Sequence, residues 1–347
     1  MIDGPDLSRC DQLLGERLGE ALRTQFDVAA DAEFAIEVDP RGLSRETVDA
    51  LAKAGVTRAS IGVQDVNPRV QRAVNRIQPF EVTRDAIILL RDAGIGAINI
   101  DLMYGLPHQS VDDVRRTVDV SVGLNAQRFA AFGYAHVPEM KRHQALIDAT
   151  ALPGPGERQR QYEAMSEALS AAGYQPVGLD HFAKPDDALA IAQRNGTLRR
   201  NFQGYTTDDA PTLIGFGASA ISALPQGYGQ NVADVPDYRR AILAGQHACV
   251  RGRAVTAEDR VRRAIIERLM CDLRVNVGAV AQAHGYTASH FDGAFEALAP
   301  LRAEGLATVE GYTITIPPDA RAGVRLVCAA FDAYLQPQSP ARHAVAV

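Results

Sequence analysis

Residues 97–107 read AINIDLMYGLP, and their pattern decides how the chain is interpreted. Ala97 to Met103 is a short, mostly apolar run of strand length, with a lone carboxylate at Asp101 and a Gly–Leu–Pro turn after it. An amphipathic stretch precedes it from Val82 to Ala93, stopped by Gly94. Another helix follows, opened by Ser110 and running to about Leu124. The alternation extends both ways. Phe34 to Val38 is a strand closed by Asp39-Pro40, Ser44 caps a helix that Gly55 ends, and Ala59 to Val63 and Phe129 to Tyr134 are further strands. Strands alternating with helices imply parallel β/α units.

In such barrels the chemistry lies at the C-terminal ends of the strands. Glu37 and Asp39, Gln64 and Asp65, Asp101 and His136 all fall there. Asp39 and Asp65 can equally serve as helix or turn caps. Glu37 sits inside an apolar strand, where a carboxylate is costly unless partnered, and so reads as a site residue. Four units precede Pro138, whereas a closed eight-unit barrel takes ~250 residues. The chain also begins on a helix, Leu7 to about Phe26. The expected fold is therefore α/β: a partial parallel β/α barrel over 1–150 with its first strands missing.

Leu152-Pro-Gly-Pro-Gly156 is a linker, followed by a helix over 157–172 and a strand over 174–179. Residues 215–222, GFGASAIS, are glycine-rich without the spacing of a phosphate loop, and suit close backbone approach to a ligand. Residues 151–250 thus form a smaller α+β region. Over 251–347, helices at 257–271, 276–284 and 289–304 precede a hairpin at 306–316, a winged-helix-like module. Its mixed charge suits a lid or packing role better than DNA.

Composition supports a globular protein: 347 residues, 46% hydrophobic and 22% charged. A net charge of −6 argues against nucleic acid as a partner. No apolar run reaches membrane-spanning length and the first residues do not read as a signal peptide, so a cytoplasmic protein is expected. Cys10, Cys249, Cys271 and Cys328 are scattered and read as reduced thiols.

Eight strings go beyond generic barrel features: IEVDP (36–40), IGVQD (61–65), VQRAVNRIQ (70–78), NIDLMYGLP (99–107), YAHVP (134–138), LDHFAKPDDALA (179–190), RNFQGYTT (200–207) and GFGASAIS (215–222). Together they resemble the oxygen-independent coproporphyrinogen III dehydrogenases, radical SAM enzymes of heme biosynthesis, from about residue 30 to residue 335. The resemblance implies a four-iron four-sulfur (4Fe-4S) cluster and two molecules of S-adenosyl-L-methionine (SAM). It implies oxidative decarboxylation of two propionates of coproporphyrinogen III to vinyl groups, an electron-donor protein as partner, and a monomer. Glu37, Ala135 and Ile221 match positions around the cluster-bound SAM. Gln64, Arg76 and Asp101 match positions around the second.

The family's CxxxCxxC loop and GGGTP segment do not occur in these 347 residues. The chain is thus expected to correspond to the family's C-terminal three quarters, without metal ligands of its own and inactive alone. A non-catalytic porphyrin- or heme-binding relative of the heme chaperones is the alternative. A barrel hydrolase using Glu37, Asp101 and His136 leaves the downstream strings unexplained.

Overall fold

The caps legible in the sequence start and stop the helices of the first half. The computed structural model describes residues 12–335. Cys10, the start of the helix expected from Leu7, and the tail beyond Leu335 lie outside the described residues. The chain divides into two compact units, the first ending at Ile191 and the second starting at Ala192.

The first unit opens with α1 (Gln12–Gln25), β1 (Ala35–Val38) and α2 (Arg45–Ala54). Ser44 Oγ accepts the Thr47 N–H at 3.2 Å to start α2, and Gly55 ends it at φ 88°, a conformation open to glycine at little cost. Next come β2 (Arg58–Gln64), α3 (Pro68–Ala73), α4 (Phe80–Asp92) and β3 (Ala97–Tyr104). They are followed by α5 (Val111–Val122), opened by a Ser110/Asp113 capping box, and β4 (Arg128–Gly133). The unit continues through α6 (Pro155–Ala171), β5 (Gln175–Val177) and β6 (His181–Ala183), and α7 (Ala188–Arg194) leads across the boundary.

One six-stranded sheet runs through the unit in the order β1-β2-β3-β4-β6-β5. Its first four strands are parallel neighbours in chain order, the arrangement expected of a partial β/α barrel. Ile61, Ile98, Ile100, Leu102 and Phe129 are fully buried on or beside its helix-covered face, with Val48, Ile87, Leu90, Val114 and Val118 of the helices also buried. Each such side chain contributes ~1.5–3 kcal/mol.

The sheet differs from expectation after β4. Residues 174–179 do not form one strand. Gly178, at φ 56°, turns the chain, so β5 and β6 form a hairpin. Strand β6 then pairs antiparallel with β4, Phe129 opposite Phe182. The turn is too short for the crossover that a parallel strand needs.

The second unit holds β7 (Arg199–Arg200), β8 (Tyr205–Thr206), β9 (Ile221–Leu224), β10 (Gly227–Asn231), α8 (Val235–Leu243) and β11 (Cys249–Ala254). Strands β9, β10 and β11 make an antiparallel sheet with β10 central. Then follow α9 (Ala257–Asp272), β12 (Arg274–Asn276), α10 (Val277–Ala283), α11 (Asp292–Ala297), α12 (Ala299–Ala303), β13 (Thr308–Glu310), β14 (Thr313–Thr315) and α13 (Val324–Ala329). The helix expected over 289–304 is broken: a 3-10 turn at Ala288–Phe291 leads into α11, and α12 restarts with Pro300 in its first turn. Pro300 has no N–H to continue α11, so a new helix begins there. Strand β12 completes a three-stranded wing sheet, β12-β14-β13, of which the sequence had shown only the hairpin. No helix among the described residues is long and apolar enough to cross a membrane.

Candidate functional site

Strand alternation gives the parallel sheet of the first unit two unlike faces. Ile36, Val38, Ala59, Ile61, Val63, Ile98, Ile100 and Leu102 point to the helix side and are buried. The opposite, inner face carries Glu37, Ser60, Gly62, Asn99 and Asp101. Glu37 is in register with Ser60, Ser60 with Asn99, and Gly62 with Asp101. The floor below is closed by Arg128, in register with Asn99, whose Nε donates to both oxygens of the buried Asp187 at 2.8 and 2.9 Å.

Glu37 corrects one expectation. It is exposed, because β1 pairs with β2 alone among the described residues and its inner face is uncovered there. The burial penalty that marked it as a site residue does not operate. Its position on the polar inner face does that instead.

Asp101 is held from below and pressed from the side. Ser60 Oγ donates to its two oxygens at 3.2 Å each, and Asn99 Nδ2 donates to Oδ1 at 2.8 Å and to Ser60 Oγ at 2.6 Å. Burial, then the charge of Glu37, push its carboxyl up to about 6, against the opposing pull of His181, Ser60 and Asn99. His181 stands on β6 in register with Ala130, its Nδ1 2.7 Å from Asp180 Oδ1.

Gln64 and Arg76 meet over Gly62. A Cβ on Gly62 would fall 2.6 Å from Gln64 Nε2 and 3.2 Å from Arg76 Nη2, so a larger residue there would push the ends of both side chains aside. Arg76 Nη2 donates to Gly62 O at 3.0 Å, and Nη1 lies 3.5 Å from Asp39 Oδ2. Asp39 is clamped on its other side by Arg41, at 2.9 and 3.1 Å from Nε. Burial raises the Asp39 carboxyl, but the Arg41 hydrogen bonds and the Arg76 charge outweigh it and hold it below the usual range. Asp39 therefore caps a turn and also orients Arg76.

Gln64 is strained. An extra residue in β2 shifts the register between Gly62 and Gln64, and Gln64 takes φ 66°. A non-glycine side chain in the left-handed region costs of order 1–3 kcal/mol. Its Oε1 is buried without a hydrogen-bond partner. Strain and an unsatisfied buried acceptor together make Gln64 a candidate for ligand contact. It lines a cleft with Val63, Asp65, Val70, Arg76 and Leu106.

A buried polar network supports that strand end. Asp65 Oδ2 accepts Gln109 Nε2 at 2.7 Å and Oδ1 accepts the Asn67 N–H at 2.6 Å. Gln109 also donates to Met103 O and accepts the Leu106 N–H, while Gln161 of α6 donates to Gln109 O and accepts the Gly105 N–H. Burial, partly offset by the Gln109 bond, pushes the Asp65 carboxyl up to about 6. Asp65 is the structural member of its pair and Gln64 the open one.

Gln64, Arg76 and Asp101 thus surround Gly62, and Glu37 lies one strand away on the same face. Ala135 follows β4, its carbonyl accepting Gln144 Nε2 at 2.9 Å. His136 Nδ1 lies 3.5 Å from Tyr134 Oη. Ile221 belongs to the second unit, where it begins β9. Asn231 Nδ2 donates to Gly215 O at 3.2 Å and Gly217 O at 2.9 Å, tying the glycine loop ahead of Ile221 to β10. Ser60, Asn99, His181 and Asn231 were missed as site residues, whereas Asp39 stood among the strand-end candidates with turn capping as its equal alternative. Ser60 and Asn99 stood at even spacing from Gly62 and Asp101, which was a usable signal.

The inner face fits SAM: two carboxylates accept from hydroxyl or ammonium, a guanidinium suits a carboxylate, and Gln64 has an acceptor to spare. The described cysteines do not fit a four-iron cluster. Cys249 is exposed, and Cys271 and Cys328 are buried. Burial pushes both buried thiols up to about 12, the reverse of the thiolate that ligates iron. Among the described residues no three His, Cys, Asp or Glu side chains are grouped to hold a metal ion.

Known proteins share this architecture. Residues 8–120 match the radical SAM superfamily. The oxygen-independent coproporphyrinogen III oxidase of Bradyrhizobium diazoefficiens is 48% identical over 317 residues, covering 91% of this chain and 70% of the relative. The like-named protein of Pseudomonas aeruginosa is 41% identical, covering 90% and 69%. The solved structure of coproporphyrinogen III oxidase from Escherichia coli, a radical SAM enzyme, superimposes with a TM-score of 0.89 at 39% identity, covering 94% of this chain and 75% of that one.

Proposed function

The chain belongs to the oxygen-independent coproporphyrinogen III oxidase family of radical SAM enzymes, and from that premise we propose that its inner sheet face binds SAM for the oxidative decarboxylation of coproporphyrinogen III. It is an oxidoreductase of porphyrin biosynthesis. In the family SAM would supply the radical that begins oxidative decarboxylation of two propionates to vinyl groups, once it receives an electron through a four-iron cluster whose ligands the described residues do not provide; what this chain's own residues supply is the face that binds and orients SAM.

The observation that carries this reading is the convergence of Gln64, Arg76 and Asp101 around Gly62. Arg76 offers a planar fork to the amino-acid carboxylate of one SAM molecule. Asp101, ionised above its raised titration point, accepts from a ribose hydroxyl or the ammonium. Gln64 accepts through Oε1 once its buried amide turns toward the ligand. Glu37 is the acceptor for the other SAM molecule, with Ala135 against its adenine; for Ile221, in the second unit, the resemblance alone implies an adenine contact. Two SAM sites on one chain, a coproporphyrinogen substrate and an electron-donor partner are the finer parts of the proposal.

Equilibrium dialysis with labelled SAM tests it, alongside titration of coproporphyrin III, the stable oxidised analogue of the substrate. Two SAM molecules per chain are expected. Arg76→Gln or Asp101→Asn should weaken one about tenfold or more, as loss of a charged hydrogen bond predicts, and Glu37→Gln should weaken the other. A chain that binds neither SAM nor coproporphyrin III overturns the reading.

A further inference from the structure

One face of the β9-β10-β11 sheet combines aromatic rings with arginines lacking carboxylate partners. Cross-strand register puts Ile221, Gln230 and Arg251 in one row, and Ala223, Tyr228 and Arg253 in the next. Directly opposed residues of antiparallel strands share a face. Phe202 packs edge-on against Tyr228 with ring centres 5.4 Å apart, and Arg263 Nη1 donates to Tyr228 Oη at 3.4 Å.

The arginines differ in how they are used. Arg253 lies over the Tyr334 ring at 4.2 Å, and Tyr334 Oη donates to Asp259, so its charge is already answered. Arg251 and Arg263 are exposed and have no ion pair with a carboxylate among the described residues. Phe202 is 54% exposed. Exposed aromatic and guanidinium groups on one sheet face suit a ligand with an apolar, ring-containing body and several carboxylates.

We propose that Arg251 and Arg263, flanking Tyr228 and Phe202, bind propionate carboxylates of the tetrapyrrole substrate. The inference rests on the coproporphyrinogen reading above and assigns the part of the second unit that holds the substrate. Coproporphyrinogen III carries four propionates, and its pyrroles match the rings of Phe202 and Tyr228. The charge complementarity is direct: a tetra-anion meets two unanswered guanidinium groups. Ile221 shares the row of Arg251, so the residue that resemblance assigns to adenine contact lies on the substrate-holding face of the same sheet.

The test is a Soret-band titration of the 347-residue chain with coproporphyrin III and, separately, with its uncharged tetramethyl ester. Arg251→Gln and Arg263→Gln should each weaken coproporphyrin III about tenfold, the low end for a charged hydrogen bond because water screens an exposed pair. The double variant should lose about a hundredfold, while ester binding and SAM binding stay unchanged. If the double variant binds coproporphyrin III within twofold of the parent, the inference falls and the proposed function stands. If the ester binds the parent as tightly as the acid does, the inference falls as well. If the parent binds no coproporphyrin III, the inference falls, and the proposed function falls with it where SAM does not bind either.

Discussion

Ser60 on β2 donates its hydroxyl to both carboxylate oxygens of Asp101 on β3, at 3.2 Å each. The bond joins neighbouring strands 41 residues apart and fixes the carboxylate on the inner face of the sheet. Asn99 completes the support from the same strand as Asp101. Donors to the ionised form lower a carboxyl, whereas burial and Glu37 raise it.

Ser60→Ala and Asn99→Leu therefore have a predicted direction beyond simple loss of affinity. Each removes a donor to the charged form, so the pH at which SAM binding is half-lost should move up from about 6. Affinity at pH 7 should fall several-fold. Unchanged pH midpoints in both variants would count against Asp101 as the ligand-facing group.

The parent protein should lose affinity for SAM as the pH falls through about 6, where Asp101 takes up a proton and can no longer accept two hydrogen bonds. Asp101→Asn should bind weakly with a flat profile over this range. Calorimetric titration between pH 5 and 8 checks both.

Asp65 predicts a stability trend of opposite sense to that of a paired surface carboxylate. Its folded-state titration point, about 6, exceeds the ordinary carboxyl value of 3.8. The folded state holds the proton more tightly, so the contribution is fully present below the unfolded value and is lost as pH rises through about 6. Two units amount to ~3 kcal/mol. Denaturant midpoints of the parent should carry this decline between pH 4 and 6.5 together with a like one from Asp101, and Asp65→Asn should show a decline about half as large. A parallel pH dependence in the two proteins would refute the assignment.

Gln64→Gly should separate stability from binding. It relieves a φ of 66° and should raise stability by ~1 kcal/mol, while removing the open Oε1 acceptor and weakening SAM. A thermal melt and a SAM titration on the same preparation decide it. A variant that is both less stable and equally able to bind would contradict the strain argument.

Thiol labelling checks the cysteine placement. Iodoacetamide at pH 8 should modify Cys249 in the folded protein and spare Cys271 and Cys328, which are buried and hold their protons to about 12. Peptide mapping that finds Cys271 or Cys328 labelled before unfolding would argue against the burial described for the second unit.

The parallel units were legible in the residues. Caps at Ser44 and Ser110, stops at Gly55 and Gly94, and short apolar runs are local signals that depend on few neighbours. The inward-facing residues were partly legible, since period-two alternation puts Glu37 with Ala35, and Asp101 with Asn99. Three things had no local signature. The antiparallel return of β6 depends on β4 lying open to receive it. The exposure of Glu37 depends on what covers β1. The meeting of Ser60 with Asp101, and of Gln64 with Arg76 over Gly62, depends on strand register and on a one-residue bulge. Caps and periodicity are set within a turn or a strand. Register, covering and strain come from contacts between segments tens of residues apart, and only packing selects them.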